Sequence, residues 1–318
     1  TNLSRDHLDY HKTFKDYFDS KLILFKKLMK KNSYAIFDED SNVSSKIKKI
    51  SNKNFKNLNI GTKNSNLKII DHKYINLEQK IIFSFNKKIF YFSTRLIGKV
   101  QIKNILMSIL AAYKSKISLK NIVNSIKRIK PAPGRLEKIG NLKNNSIVIL
   151  DYAHTPDALE VCLKNIKEQF KLKKINLVFG CGGERDKPKR KIMGRIANNY
   201  CNKIYLTDDN PRSENPKKIR NDIKIKIKKS KLYEIPSRKL AIKIAIKKIN
   251  SDEIVVVAGK GHEIYQEYKR KKYFSDRDCI IKSIKEKNKK ISKNWKKNII
   301  FIYFPRVNTC FVNYCISL

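Results

Sequence analysis

The 318-residue chain is 41% hydrophobic and carries 72 Lys plus Arg against 28 Asp plus Glu, a formal net charge of +44. That apolar content excludes a disordered tail and fills a real core, in one large domain or, as the length favours, two. No segment approaches the ~20 apolar residues of a membrane-spanning helix, which excludes an integral helical membrane protein and sets a membrane partner aside.

The charge first points to nucleic acid. Its make-up points elsewhere: arginine supplies 13 of the basic residues and lysine 59, spread over nearly every segment beside abundant Ile and Asn. Lys, Ile and Asn are the residues of A/T-only codons, so base composition explains the excess as a solvated surface, and a nucleic-acid partner is set aside. Six cysteines, Cys162, Cys181, Cys201, Cys279, Cys310 and Cys315, form no C-x-x-C pair. Without a signal-like leader they are expected as reduced thiols in a cytoplasmic protein.

In chain order, the opening TNLSRDHLDYH is a dense polar motif. The spacing of Phe14, Tyr17, Phe18, Lys21, Leu22 and Phe25 then predicts a helix over 13–31. Residues 32–100 read as short strands and turns, with β-rich runs at Tyr34–Phe37 and Ile89–Phe92, and a helix follows at about 101–115. Pro131-Ala132-Pro133-Gly134 stops both helix and sheet and marks a domain boundary. Beyond it, strands are predicted at 146–151, Ile175–Phe179, Lys203–Thr207 and Glu253–Ala258. Helices are predicted at Pro156–Ile166, 188–199, 215–229 and 237–249. Short unbroken apolar strands separated by helices predict an α/β fold whose mostly parallel sheet is covered on both faces. The stretch 289–318, with Trp295 and the apolar run Ile299–Phe304, stays unassigned, with a partner-binding strand among its readings.

Ligands of such sheets bind at the carboxyl ends of strands, and every candidate motif falls there. Asp151 ends an apolar strand, placed to hydrogen-bond a polar ligand such as a ribose; Thr155 and Pro156 after it are a plain helix start, and His154 has no derivable role. Gly180-Cys181-Gly182-Gly183 precedes a helix and suits backbone approach to an anion, or is only a turn. It is not a phosphate loop of the G-x-x-x-x-G-K-[ST] type, which occurs nowhere in the 318 residues. Asp208-Asp209-Asn210-Pro211-Arg212 reads by default as an Asx turn, but Arg212 is a bidentate carboxylate-binding group beside an amide. Glu263, after the last strand, adds the opposite charge, and Arg with Glu in one crevice can hold a zwitterion.

TNLSRDHLDYH, PGRLE, DYAHTPDAL, FGCGGERDKPKR, TDDNPRSE and AGKGHE occur in the order and spacing of the Mur ligases, and the chain resembles that family over roughly residues 1–288. Among its members it is similar to those that add meso-2,6-diaminopimelate. The resemblance implies an ATP-dependent, Mg²⁺-assisted amide-bond ligase of peptidoglycan synthesis, which joins diaminopimelate to UDP-N-acetylmuramoyl-L-alanyl-D-glutamate (the UDP-MurNAc-dipeptide) through an acyl phosphate. It implies the latter part of a central ATP-binding domain over 1–130 and a Rossmann-like, amino-acid-binding C-terminal domain over 131–288. Arg185, Asp209, Asn210, Arg212, Gly259 and Glu263 fall on amino-acid-binding positions. Asn104, Arg135 and Asp151 fall on the adenine, phosphate and ribose sides of ATP. Lys21, as a carbamate, and His7 fall on the catalytic pair that holds a Mg²⁺; outside the resemblance, Lys21 is one lysine among 59 and His7 a core or capping histidine. Members that add lysine lack the arginine of DNPR, because lysine has no second carboxylate for Arg212 to grip. Leaving that guanidinium buried and unpaired would cost about 3 kcal/mol or more.

The family's first domain and its G-T-x-G-K-T loop have no counterpart in these residues. The expectation is therefore a chain inactive alone, with a separate polypeptide as one source of the loop. The alternative is a non-catalytic remnant, or a recruited and nucleic-acid-associated binding protein, that keeps the fold. Gln101, where the family usually has Asn, and Phe37 in AIFDED are smaller departures.

Overall fold

The computed structural model describes residues 11–51, 55–75 and 77–302, with side chains described to 292. His7 and most of the opening motif lie outside the described residues. Thr13 caps α1 (Phe14–Ile23), accepting from the Asp16 N–H while Asp16 returns a bond to the Thr13 N–H. The predicted helix over 13–31 ends early: Leu24–Leu28 winds as a π-helical turn and the backbone is extended at Met29. Next come β1 (Tyr34–Asp38), α2 (Ser44–Ser51), β2 (Lys56–Gly61), β3 (Leu67–Ile75), β4 (Glu78–Phe85) and β5 (Lys88–Thr94). They form one sheet in that strand order, parallel from β1 to β3 and antiparallel from β3 to β5. Helix α2 breaks the expectation of strands and turns alone; in eight residues only Ile47 and Ile50 mark its apolar face, too few for a helical period to be read. Helices α3 (Lys99–Lys114) and α4 (Leu119–Ile126) pack Ile102, Leu106, Ile109 and Ile122 onto Ile81, Phe83 and Phe92 of this sheet.

The second sheet has the order β10-β9-β8-β11-β7-β6. Its members are β6 (Glu137–Lys138), β7 (Ile147–Asp151), β8 (Lys174–Phe179), β9 (Lys203–Leu206), β10 (Leu232–Glu234) and β11 (Glu253–Ala258), all parallel except the short edge strand β6. Neighbouring residues of a strand face opposite cores. Ile147, Ile149, Ile254 and Val256 join the core under α5 (Pro156–Gln169), α6 (Pro188–Tyr200) and α7 (Pro216–Lys224). Val148, Leu150, Val255 and Val257 join the core under α8 (Arg238–Lys248) and α9 (Asp276–Ile302). The mixed α/β architecture with a mostly parallel, doubly covered sheet is as the sequence predicts. Six elements beyond α2 were not expected: α4, the edge strands β6 and β10, the two strands of the antiparallel hairpin β12 (Tyr265–Tyr268) and β13 (Arg270–Tyr273), and α9. Helix α9 runs on to Ile302, so the described part of the Ile299–Phe304 run is helix, not strand.

The two layered units meet where the chain leaves the first sheet. The Gly98 N–H donates to Gln169 Oε1 at 2.9 Å, and buried Gln79 donates Nε2 to the Leu96 and Gly98 carbonyls at 2.6 and 3.2 Å. Arg238 is fully buried between α8, β11 and α9, giving a bidentate pair to Asp276 at 2.8 and 2.7 Å and a bond to the Ala258 carbonyl at 2.9 Å. Removing one partner of a buried pair leaves an uncompensated charge and costs about 3–5 kcal/mol. Asp276→Ala is therefore expected to lower the melting temperature of the second unit by roughly 10 °C in calorimetry, whereas the exposed pair Lys174–Asp252 can be broken at little cost.

Candidate functional site

The carboxyl ends of β7, β8, β9 and β11 converge on a cavity of about 340 Å³. It is lined by residues from all four strand-end loops and the start of α6: Tyr152 and His154; Gly180, Cys181 and Gly182; Arg185, Asp186 and Lys189; Asp209, Asn210 and Arg212; and Gly259, Glu263 and Tyr265. Its size sits at the small end of ligand cavities. All six positions expected to bind an amino acid, Arg185, Asp209, Asn210, Arg212, Gly259 and Glu263, lie on its wall.

The loop glycines serve close packing more than anion approach. A Cβ on Gly180 would stand 2.2 Å from the Thr207 carbonyl, and one on Gly183 2.0 Å from the Pro211 carbonyl. The glycine loop and the Asp208–Arg212 loop are thus pressed backbone to backbone. The β12–β13 hairpin holds the second loop from its other side: the Arg212 N–H donates to the Glu267 carbonyl at 3.0 Å, the Lys269 N–H to the Arg212 carbonyl at 2.9 Å, and Gln266 Nε2 to the Asp209 carbonyl at 2.8 Å. Arg212 has a positive φ of 56°. Its Nη1 donates to the Gly183 carbonyl at 2.8 Å, and its Nε lies 3.5 Å from Glu267. It is half-buried rather than sequestered, so without a ligand carboxylate it keeps internal partners. The penalty expected for a buried, unpaired guanidinium is reduced accordingly.

Glu263 and Asn210 meet on Lys260, which is fully buried. Lys260 Nζ donates to Glu263 Oε2 at 2.9 Å and to Asn210 Oδ1 at 3.0 Å, while Asn210 Nδ2 donates to Glu263 Oε2 at 3.1 Å. The Tyr152 hydroxyl lies 3.4 Å from Glu263 Oε1. Gly259 and Gly261, with φ of 114° and 52°, turn the loop on both sides of Lys260. Asp209 Oδ2, buried without a hydrogen bond, lies 3.7 Å from Arg238 Nη1, itself unbonded, so the cavity floor rests on the Arg238–Asp276 pair.

Further charge pairs brace the loops. Arg190, 1% exposed, grips both oxygens of Glu214 at 2.7 Å and Asp222 at 3.0 Å. Arg220 bonds Asp208, whose other oxygen accepts the Tyr268 hydroxyl at 2.9 Å. Lys189 Nζ donates to the His154 carbonyl at 3.1 Å. His154, to which the motif gave no role, bonds the Tyr152 carbonyl through Nδ1 at 2.9 Å.

The remaining predicted residues that the structure describes are not on the cavity wall. Asp151 is buried, with its carboxylate accepting the Leu136 N–H at 2.7 Å and the Ala153 N–H at 2.9 Å; burial pushes its pKa up, against those bonds. It ties the 134–136 turn to the end of β7. Arg135 is exposed and lies over the Tyr152 ring, 4.6 Å from its centroid. Asn104 lines a separate groove of about 290 Å³ between α3, α4 and the 129–132 segment. Lys21 is exposed on α1, its Nζ 4.9 Å from the Tyr17 ring centroid. No cluster of three potential metal ligands occurs among the described residues. Sequence reasoning passed over Lys260, Arg190, Arg220, Arg238 and Asp276, and the glycines flanking Lys260 were the one available sign.

A doubly wound sheet that gathers charged side chains at its carboxyl edge defines a ligand-binding α/β protein. Comparison with known proteins narrows the class. Residues 1–112 match the Mur ligase middle domain and residues 134–261 the Mur ligase, glutamate ligase domain. The UDP-N-acetylmuramoyl-L-alanyl-D-glutamate–2,6-diaminopimelate ligase of Rickettsia rickettsii is 40% identical over 288 residues, covering 90% of this chain and 59% of that protein. A solved structure of a ligase of the same name superposes with a TM-score of 0.62 at 32% identity, over 90% of this chain and 59% of that one. The MurF ligase of Thermotoga maritima, solved with ADP, shares the fold at a TM-score of 0.65 and 17% identity, over 92% of this chain and 61% of that one. The chain belongs to the Mur ligase family and spans about three fifths of the length of the relatives it matches.

The grip of Arg190 holds Glu214 down at a pKa of about 2, against an ordinary value of 4.5. A depressed carboxylate stabilises the fold above its unfolded value and loses that contribution as pH falls through its folded one. Stability is therefore expected to decline between about pH 4.5 and 2, and Glu214→Gln to flatten that part of the profile in urea unfolding followed against pH.

Proposed function

We propose that the cavity is the amino-acid site of an ATP-dependent ligase, and that its amino acid is meso-2,6-diaminopimelate. In this reading the γ-carboxylate of the D-Glu in UDP-N-acetylmuramoyl-L-alanyl-D-glutamate takes the γ-phosphoryl group of ATP and releases ADP. The amine of diaminopimelate then attacks the acyl phosphate, forms the amide and expels phosphate. The observation that carries the reading is the joint placement of Arg185 and Arg212 with Asn210 and Glu263 in one small cavity, donors for a carboxylate beside an acceptor for an ammonium. The ligase names of the Rickettsia protein and of the 32%-identical structure support it.

On the ATP side the reading assigns Asn104, Arg135 and Asp151 to the adenine, phosphate and ribose. The ADP bound by the Thermotoga neighbour is in keeping with that use. Mg²⁺ at Lys21 and His7 requires Lys21 to be carbamylated first: an ammonium over a tyrosine ring offers no oxygen to a hard cation. The 318 residues contain no G-x-x-x-x-G-K-[ST] loop, so by themselves they are expected to bind the amino acid without turning over ATP.

Arg212→Ala removes the group assigned to the second carboxylate. It is expected to weaken meso-diaminopimelate binding about tenfold to a hundredfold, the worth of a charge-assisted contact, and to change L-lysine binding less than twofold. Isothermal titration of the chain with both amino acids measures this, and an equal loss for the two would sink the assignment.

A further inference from the structure

We propose that Lys260 is a specificity-determining positioning residue: as the buried counter-ion of Glu263 it makes the cavity a site for an amino-acid end that bears a carboxylate, rather than for a bare ammonium. The inference rests on the reading of the cavity as an amino-acid site. Lys260 is an ammonium with donors and no acceptor, and it bonds both Glu263 Oε2 and Asn210 Oδ1. The Glu267 N–H, also a pure donor, reaches the same Asn210 Oδ1 at 3.1 Å. Two donors on Oδ1 leave one orientation for the amide, with the Nδ2 donor beside Glu263. Glu263 Oε2 is occupied in turn by Lys260 and Asn210. The wall therefore offers Glu263 Oε1, which also accepts the Tyr152 hydroxyl at 3.4 Å, to an ammonium, and the second amide hydrogen of Asn210 to a carboxylate.

Charge decides the rest. Glu263 alone would repel a ligand carboxylate beside it, in a cavity where water screens poorly. Lys260 is 0% exposed, so its charge acts on Glu263 and the ligand from behind the wall, without competing for the ligand as a surface lysine would. Removing that charge acts in opposite directions on the two halves of an amino acid: it penalises the carboxylate and favours the ammonium. A loss of packing would weaken every ligand alike.

The test titrates the 318-residue chain and its Lys260→Met, Lys260→Arg, Glu263→Gln and Lys260→Met/Glu263→Gln variants with meso-diaminopimelate and with L-lysine, which lacks the distal carboxylate. Lys260→Met is expected to weaken diaminopimelate tenfold or more while lysine binding holds within twofold or tightens. Lys260→Arg is expected to keep the wild-type preference. With Glu263 neutralised, Lys260→Met is expected to weaken diaminopimelate clearly less than it does beside an intact Glu263, because the carboxylate whose repulsion Lys260 offsets is gone and only the direct attraction of Lys260 for the ligand is lost. Proportional losses for both ligands in Lys260→Met, or effects of the two substitutions that simply multiply, overturn the inference alone. A wild-type chain that binds neither amino acid overturns the proposed function and the inference with it.

Discussion

Parallel pairing of β9, β8, β11 and β7 is the constraint on which the site depends. The register sets Phe179 beside Leu206, Val178 beside Val257 and Ala258 beside Asp151, so the four strands end nearly level. Level ends bring loops from widely separated parts of the chain to one edge. Both faces of the sheet are buried, so the alternation of apolar residues cannot by itself fix that register as it does in a half-exposed sheet. Polar closure at the strand ends adds what is missing: the Gly259 N–H meets the Asp151 carbonyl, the Thr207 N–H the Phe179 carbonyl and the Asp208 N–H the Pro236 carbonyl.

Convergence concentrates acidic side chains at the edge, and most of them meet a cation or backbone donors, while buried Asp209 keeps one oxygen without a hydrogen bond. Asp208 pairs with Arg220, Asp276 with Arg238, Glu214 with Arg190 and Glu263 with Lys260; Asp151 is answered by backbone N–H groups instead. Several of these cations come from the helices behind the loops, α6, α7 and α8. Such pairs add little net stability, because desolvation offsets the attraction, but breaking one is costly. Their effect is geometric: a loop held by a buried pair has few alternative arrangements, and the cavity wall inherits that rigidity.

The strands and helices beyond Pro131 were legible because unbroken apolar runs such as Ile147–Asp151 and Glu253–Ala258 alternate with capped helices. The missed elements have more than one cause. Strand β13, RKKY, has no apolar alternation to read, the strands β10 and β12 are three and four residues long, and helix α2, SSKIKKIS, has only Ile47 and Ile50 to mark its period. The six residues that motif resemblance assigns to amino-acid binding lie together on the cavity wall. The side chains that brace the loops were not legible: Arg220 and Arg238 sit in ordinary helical sequence, Arg190 only closes the FGCGGERDKPKR motif, and all three owe their burial to tertiary packing. The length of Arg212's motif was visible, whereas the hairpin that turns Arg212 into the cavity was not.

Lysine abundance and Lys260 test the same physical rule from opposite sides. An ammonium on a flexible stem costs little at the surface, so drift toward lysine can cover most exposed positions of a chain with a charge of +44 without disturbing the fold. A buried lysine is different in kind: desolvation makes it untenable unless a fixed carboxylate and further acceptors meet it. Lys260 has Glu263, Asn210 and the face of Tyr265, 5.1 Å from the ring centroid, and is set between two glycines of positive φ. Composition accounts for how many lysines the chain carries. Only the geometry of Glu263 and Asn210 accounts for a lysine at this place, and that geometry turns one of 59 similar side chains into part of the cavity's selectivity.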